Sequence, residues 1–233
     1  MKHILITAHS GCEGTPDNSM ESIYKGIELG ADCIEIDIRM DPEGKLRLTH
    51  NEPECWDDLI ELETALPVIL NGGTAVNCDL KEEKLLYPVL EALESAGFPR
   101  EKMVFSGSVN VALLKADPTI VQRARIFLNL EQLLSHIIDE IPQTKEEAAV
   151  CFDEHIEEIA ALVKALGVEC INPSFRIMPH ERIEAALAHG IQLSLWTANE
   201  PEDQAALLQE DLINMTTRQV ESALRLRKEI RGY

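Results

Sequence analysis

Short apolar runs recur along the chain at intervals of about 20 to 45 residues, and polar or helix-periodic stretches separate them. The clearest run begins at Cys33 and reads Cys-Ile-Glu-Ile-Asp-Ile. Successive side chains of a strand point to opposite faces, so Ile34, Ile36 and Ile38 share one face while Glu35 and Asp37 share the other. Comparable runs over residues 3–8, 75–80, 103–106, 124–128, 168–172, 191–196 and 212–215 predict seven further strands. A second extended run, residues 45–49, follows an Asp-Pro-Glu-Gly turn and delivers His50.

Helical periodicity fills the gaps. Residues 20–29 form the first helix, with Asn18 or Ser19 as its cap and Gly30 as its stop. Leu59, Leu62, Leu66 and Ile69 mark a helix over 59–70 that closes at Asn71-Gly72-Gly73. Further helices are predicted near 83–95, 109–116, 202–209 and from 216 to about 231, with a long helical region at 130–166 broken near Pro142. Eight strands alternating with helices in 233 residues predict an α/β chain folded as a single (β/α)8 TIM barrel over residues 1–233. No Gly-x-Gly-x-x-Gly follows the first strand, which argues against a dinucleotide site.

Charge narrows the partners. A net charge of −20 disfavours nucleic acid and anionic membrane, which require a basic face, yet leaves room for a small anionic substrate at a locally positive site. Six cysteines, at 12, 33, 55, 78, 151 and 170, include no Cys-x-x-Cys pair, so reduced thiols in a cytoplasm are expected. Cys33 and Cys78 sit in apolar strands and read as small buried hydrophobes. The basic-then-apolar opening is too short for a secretory leader, and no apolar run reaches membrane-spanning length. The expectation is a cytoplasmic protein without integral membrane association, for which a homo-oligomer stays open.

Chemistry gathers at the predicted C-terminal ends of the strands, where a barrel carries its function. His9 follows the first strand, Glu35 and Asp37 end the second, and Asp79 and Lys81 end the third. Two carboxylates on one face of a buried strand need a compensating positive charge. Glu35, Asp37 and Asp79 together suit a divalent metal ion such as magnesium or calcium. His9 and His50 beside it are suited to acid and base work near neutral pH, and Lys81 to a phosphate oxygen.

In this arrangement the chain resembles the glycerophosphodiester phosphodiesterases, a family with a (β/α)8 fold. The resemblance rests on His9-Ser10-Gly11, Pro16-Asp17-Asn18-Ser19, the strand from Gly30 to Asp37, the turn and strand from Glu43 to His50, Asn77-Cys78-Asp79-Leu80-Lys81, and Trp196-Thr197-Ala198-Asn199. It implies a metal-dependent phosphoric diester hydrolase of lipid or glycerol metabolism, acting on a small anionic phosphodiester. His9 and His50 would be the catalytic pair, and Glu35, Asp37 and Asp79 the metal ligands. Lys81, Trp196, Asp17 and Ser10 would lie against the substrate.

Three features depart from the family pattern. Serine at position 10 stands where arginine is expected, with Arg39 as a candidate substitute. Aspartate replaces glutamate at 17 and 79, and the segment after His50 is short. Two alternatives follow: a barrel that binds a phosphorylated ligand without cleaving it, and a lyase-type relative that releases a cyclic phosphate.

Overall fold

A computed structural model describes residues 3–233; Met1 and Lys2 of the basic opening lie outside the described residues. Strand β1 (Leu5–Ala8) leads through the loop at residues 9–19 into helix α1 (Met20–Leu29). The Ser19 hydroxyl accepts from the Ser22 amide at 3.0 Å, and Gly30 ends the helix in the left-handed conformation at φ 81°. Strand β2 (Cys33–Met40) and the short β3 (Leu46–Leu48) then form an antiparallel hairpin, with Ile38 opposite Leu48.

Helix α2 (Leu62–Asn71) and strand β4 (Ala75–Leu80) follow, then α3 (Leu86–Ser95), β5 (Met103–Gly107), α4 (Val111–Ala116), α5 (Ile120–Arg123) and β6 (Arg125–Leu128). The helical region expected at 130–166 resolves into α6 (Leu130–Leu134), α7 (Lys145–Glu154) and α8 (Ile156–Leu166). The helix stops at Leu134, eight residues before Pro142, and Thr144 restarts it through a capping box with Glu147. The chain ends with β7 (Cys170–Ile171), α9 (His180–Ala188), β8 (Ser194–Leu195), α10 (Pro201–Leu207), β9 (Asn214–Thr217) and α11 (Val220–Arg231). β7 and β8 are shorter than the apolar runs that announced them, and β9 begins two residues later than expected. No helix among the described residues is long and apolar enough to cross a membrane.

Eight strands run parallel in the order β7-β6-β5-β4-β2-β1-β9-β8, with β3 added to β2. The seam between β7 and β8 closes through isolated parallel pairings, Ile171 with Leu193 and Ser174 with Trp196, and the Phe175 amide donates to the Trp196 carbonyl at 2.8 Å. The result is the expected (β/α)8 barrel.

Side-chain parity divides the interior. Ile34, Ile36 and Ile38 of β2, with Phe105, Ile126 and Leu128, join the main apolar cluster that the helices cover. Val104, Phe127 and Cys170 have the opposite parity and form a small separate cluster with Ile213. Several other inward positions are polar. Thr7 donates to Asn214 Oδ1 at 2.6 Å, Asn214 to Ser194 Oγ at 3.0 Å, Ser194 to Asn172 Oδ1 at 2.8 Å, and Asn172 to Asn129 Oδ1 at 2.8 Å. This chain of bonds satisfies buried polar groups and leaves the barrel mouth lined with amides.

Candidate active site

A cavity of about 670 Å³ opens at the C-terminal ends of the strands, and every one of the eight barrel strands, or the residues just after it, contributes to its wall. His9, His50, Glu35, Asp37, Asp79, Lys81, Asp17 and Trp196 all line it.

Register explains the carboxylates. β2 and β4 pair with Asp37 beside Asp79, and Glu35 beside Asn77, so Glu35 lies one inward position deeper. One oxygen from each of Glu35, Asp37 and Asp79 falls within 4.8 Å of the others. Glu35 and Asp37 are buried, and Asp79 is half-buried. Burial, with Asp37 and Asp79 adding like charge, pushes the Glu35 carboxyl up to about 7, although His9 and the Ser10 amide oppose the rise. Burial likewise raises Asp79, against the pull of Lys81, and Asp37 adds to the rise. Asp79 Oδ1 is buried without a hydrogen-bond partner. Three converging hard oxygen donors, one of them unsatisfied, fit a divalent cation.

Neighbours hold these carboxylates in place. Asn18 grips Asp37 twice: its Nδ2 donates to Oδ2 at 2.8 Å, and its Oδ1 accepts from the Asp37 amide at 2.9 Å. The Ser10 amide donates to Glu35 Oε2 at 2.8 Å. Lys81 Nζ stands 2.7 Å from Asp37 Oδ1 and 3.0 Å from Asp79 Oδ2. Burial pulls its ammonium down, but Asp79 and Asp37 together hold it above the ordinary lysine value. Gly107, at φ 77°, faces Asp79 with no side chain: a Cβ there would fall on Asp79 Oδ1 and the Leu80 carbonyl.

Both histidines have one ring nitrogen committed. His9 Nδ1 donates to the Ser10 carbonyl at 2.9 Å, with Glu35 Oε2 3.7 Å away, which leaves Nε2 with its lone pair. His50 is exposed on the loop after β3, and its Nδ1 lies 3.0 Å from Asn51 Oδ1. That loop is anchored below, where Arg47 donates to Asp41 Oδ2 at 2.9 Å and to the Leu59 carbonyl at 3.0 Å. Trp196 presents its ring to the cavity while Nε1 donates to the Asn172 carbonyl at 2.8 Å.

Two expectations are corrected. Ser10 is 2% exposed and does not line the cavity; its hydroxyl accepts from the Asn18 amide at 2.6 Å, so it shapes the loop and offers nothing to substrate. Arg39 does not substitute for the absent arginine, because its Nε donates to the His50 carbonyl at 3.0 Å and it points to Glu82, outside the cavity. Asp17 lines the cavity and pairs with Arg218 Nη1 at 2.9 Å. Sequence reading missed Arg218, Asn18 as the brace of Asp37, and Gly107. Only Asn18 had a signal, inside Pro16-Asp17-Asn18-Ser19.

Comparison with known proteins identifies the family and the fold. The sequence model of the glycerophosphoryl diester phosphodiesterase family matches residues 9–167. An uncharacterized protein of Bacillus subtilis, YqiK, is 44% identical over 103 residues, a match that spans only 42% of this chain and 42% of that protein. A glycerophosphodiester phosphodiesterase of Caldanaerobacter subterraneus is 22% identical over 243 residues, covering 97% of this chain and 98% of the relative. Among solved structures, an Oleispira antarctica phosphodiesterase in complex with the product sn-glycerol-3-phosphate superposes with a TM-score of 0.71 at 16% identity, covering 95% of this chain and 96% of that one.

Proposed function

The chain belongs to the glycerophosphoryl diester phosphodiesterase family, and from that premise we propose that it hydrolyses a small glycerophosphodiester to a phosphomonoester and an alcohol, with a divalent cation and the His9–His50 pair. The observation that carries this reading is the convergence of Glu35, Asp37 and Asp79 oxygens within 4.8 Å, in the same cavity as both histidines.

Glu35, Asp37 and Asp79 would hold magnesium or calcium, which when bound supplies positive charge to the phosphoryl oxygens. His9 and His50 divide the proton work: one imidazole takes a proton as the attacking oxygen closes on phosphorus, and the other gives one to the departing alkoxide. The Nδ1 bond of His9 to the Ser10 carbonyl sets its tautomer, so Nε2 is the nitrogen free to act. Lys81, held by Asp37 and Asp79, brings its charge to the phosphate side of the cavity.

Ser106, Ser108, Asn129, Gln132 and Asn172 give the cavity a polar, uncharged wall suited to a hydroxylated alcohol, and Trp196 offers one apolar face. The glycerol phosphate in the Oleispira enzyme supports a ligand of that kind. Six free thiols suit a cytoplasmic setting, and lipid or glycerol metabolism would supply such a diester.

The test is turnover of glycerophosphodiesters with magnesium, calcium or manganese, read by phosphorus NMR. Hydrolysis gives a phosphomonoester that EDTA abolishes, whereas intramolecular attack gives a cyclic phosphate. His9→Ala and His50→Ala each lower turnover about 10²- to 10⁴-fold. Undiminished turnover in both variants removes the histidine mechanism, and binding of intact diester without product removes hydrolysis altogether.

A further inference from the structure

The cavity is short of positive charge for an anionic substrate. Five carboxylates line it (Asp17, Glu35, Asp37, Asp79 and Glu131), against only two fixed cations among the described residues, Lys81 and Arg218. Lys81 is already engaged by Asp37 and Asp79. The position after His9 contributes no donor, since Ser10 is buried and turned to Asn18. Arg218 is the remaining cation.

Arg218 is placed with care. It follows β9, which pairs with β1 in register, and the Thr217 carbonyl accepts from the His9 amide at 2.9 Å, so Arg218 stands at the shoulder of His9. Asn199 Oδ1 accepts from the Arg218 amide at 2.9 Å, and the Arg218 carbonyl accepts from the Glu13 amide at 2.8 Å. The loops after β1 and β8, the two strands beside β9, therefore fix its backbone. Its guanidinium lies over Gly11, where a Cβ would come 3.0 Å from Nη1 and would collide with Asp17 Oδ1. Asp17 holds Nη1 at 2.9 Å, and the other guanidinium donors have no hydrogen-bond partner among the described residues. The side chain is 37% exposed, at the cavity wall.

We propose that Arg218 is the phosphate-gripping guanidinium of this enzyme, oriented by Asp17 across the bare Cα of Gly11 and reaching the substrate from the end of the last strand. A planar fork held at one corner leaves two parallel donors for non-bridging phosphoryl oxygens, a geometry that a lysine cannot reproduce. This inference rests on the phosphodiesterase reading above and adds the residue that recognises the diester anion.

The test uses the full chain with magnesium and inorganic phosphate as the calorimetric probe, alongside diester kinetics. Arg218→Gln weakens phosphate binding about 10- to 100-fold and raises KM in step, while kcat changes less. Arg218→Lys recovers only part of the loss. Magnesium affinity and thermal midpoint stay near wild type, which a role confined to loop packing would not allow.

Asp17→Asn separates the partners: it keeps the guanidinium but loosens its orientation, so phosphate binding falls by clearly less than in Arg218→Gln. If Arg218→Gln matches a wild type that binds phosphate and turns over diester, or if Asp17→Asn loses as much affinity as Arg218→Gln, this inference fails alone. If the wild type neither binds phosphate nor cleaves a diester, the phosphodiesterase reading fails and takes this inference with it.

Discussion

Gly107→Ala tests the cation site through a residue that carries no functional group. Gly107 ends β5 at φ 77°, opposite Leu80 in register and against Asp79. An alanine there meets two independent penalties. The left-handed backbone disfavours any Cβ by about 1–2 kcal/mol. The new methyl also falls on Asp79 Oδ1 and the Leu80 carbonyl and comes 2.9 Å from the Leu80 nitrogen. Two of those three atoms belong to the backbone of a central strand, so the side chain must give way. Overpacking of this kind costs about 1–3 kcal/mol, for a total of about 2–5 kcal/mol.

Gly97→Ala is the matched control, because Gly97 has φ 88° and nothing within 4 Å of its would-be Cβ. It should show the backbone penalty alone. Urea unfolding of both variants, with magnesium titrations of the folded proteins, separates the contributions. The expected outcome is a Gly107→Ala protein about 1–3 kcal/mol less stable than Gly97→Ala. Its magnesium affinity should fall at least about tenfold, because Asp79 is displaced from the ligand set. Equal stability of the two variants, together with wild-type magnesium binding by Gly107→Ala, would refute the claim that this glycine makes room for a ligand.

Three further outcomes follow from other contacts. Asn18→Ala removes both bonds to Asp37 and should weaken magnesium binding about 10- to 100-fold in calorimetry while the far-ultraviolet spectrum is unchanged. Asp41 is held below the ordinary carboxylate value: burial would raise it, but the Lys45 amide, the Arg47 guanidinium and the Glu43 amide prevail. Its stabilising effect is therefore complete above a pH of about 4 and lost as pH falls through the lower folded value, so Asp41→Asn should differ from wild type in urea midpoint at pH 6 and approach it as the pH is lowered below about 4. Thr144→Ala removes the capping box of α7 and should cost about 1 kcal/mol in urea unfolding, with diester turnover unchanged.

What could be read without the fold divides along a physical line. Helix α1 runs over the expected residues because its start and stop signals, Ser19 and Gly30, are local. β4 likewise spans the predicted 75–80, since a buried parallel strand announces itself as an apolar run. The inward placement of Glu35, Asp37 and Asp79 needed only the period of two along two strands, plus the register that pairs Asp37 with Asp79. β7 and β8 were overestimated because an apolar run measures burial, whereas a strand also needs a hydrogen-bonded neighbour, and at this seam the barrel closes through single pairings.

The residues that escaped notice share a different property: their roles exist only across the fold. Arg218 sits in a basic terminal stretch that charge balance alone explains, and nothing nearby in the chain reveals that β9 lies beside β1 and carries it to His9. Ser10 misled for the converse reason. Its place next to His9 suggests the substrate, yet the chain must turn sharply at Gly11 to reach α1, and that turn sends the Ser10 side chain to the Asn18 amide. An arginine side chain at position 10 would have to find another path out of that turn. A guanidinium delivered from the adjacent strand β9, with Asp17 as its partner, needs no such path and leaves the first loop free to orient His9 and Glu35 through backbone atoms alone.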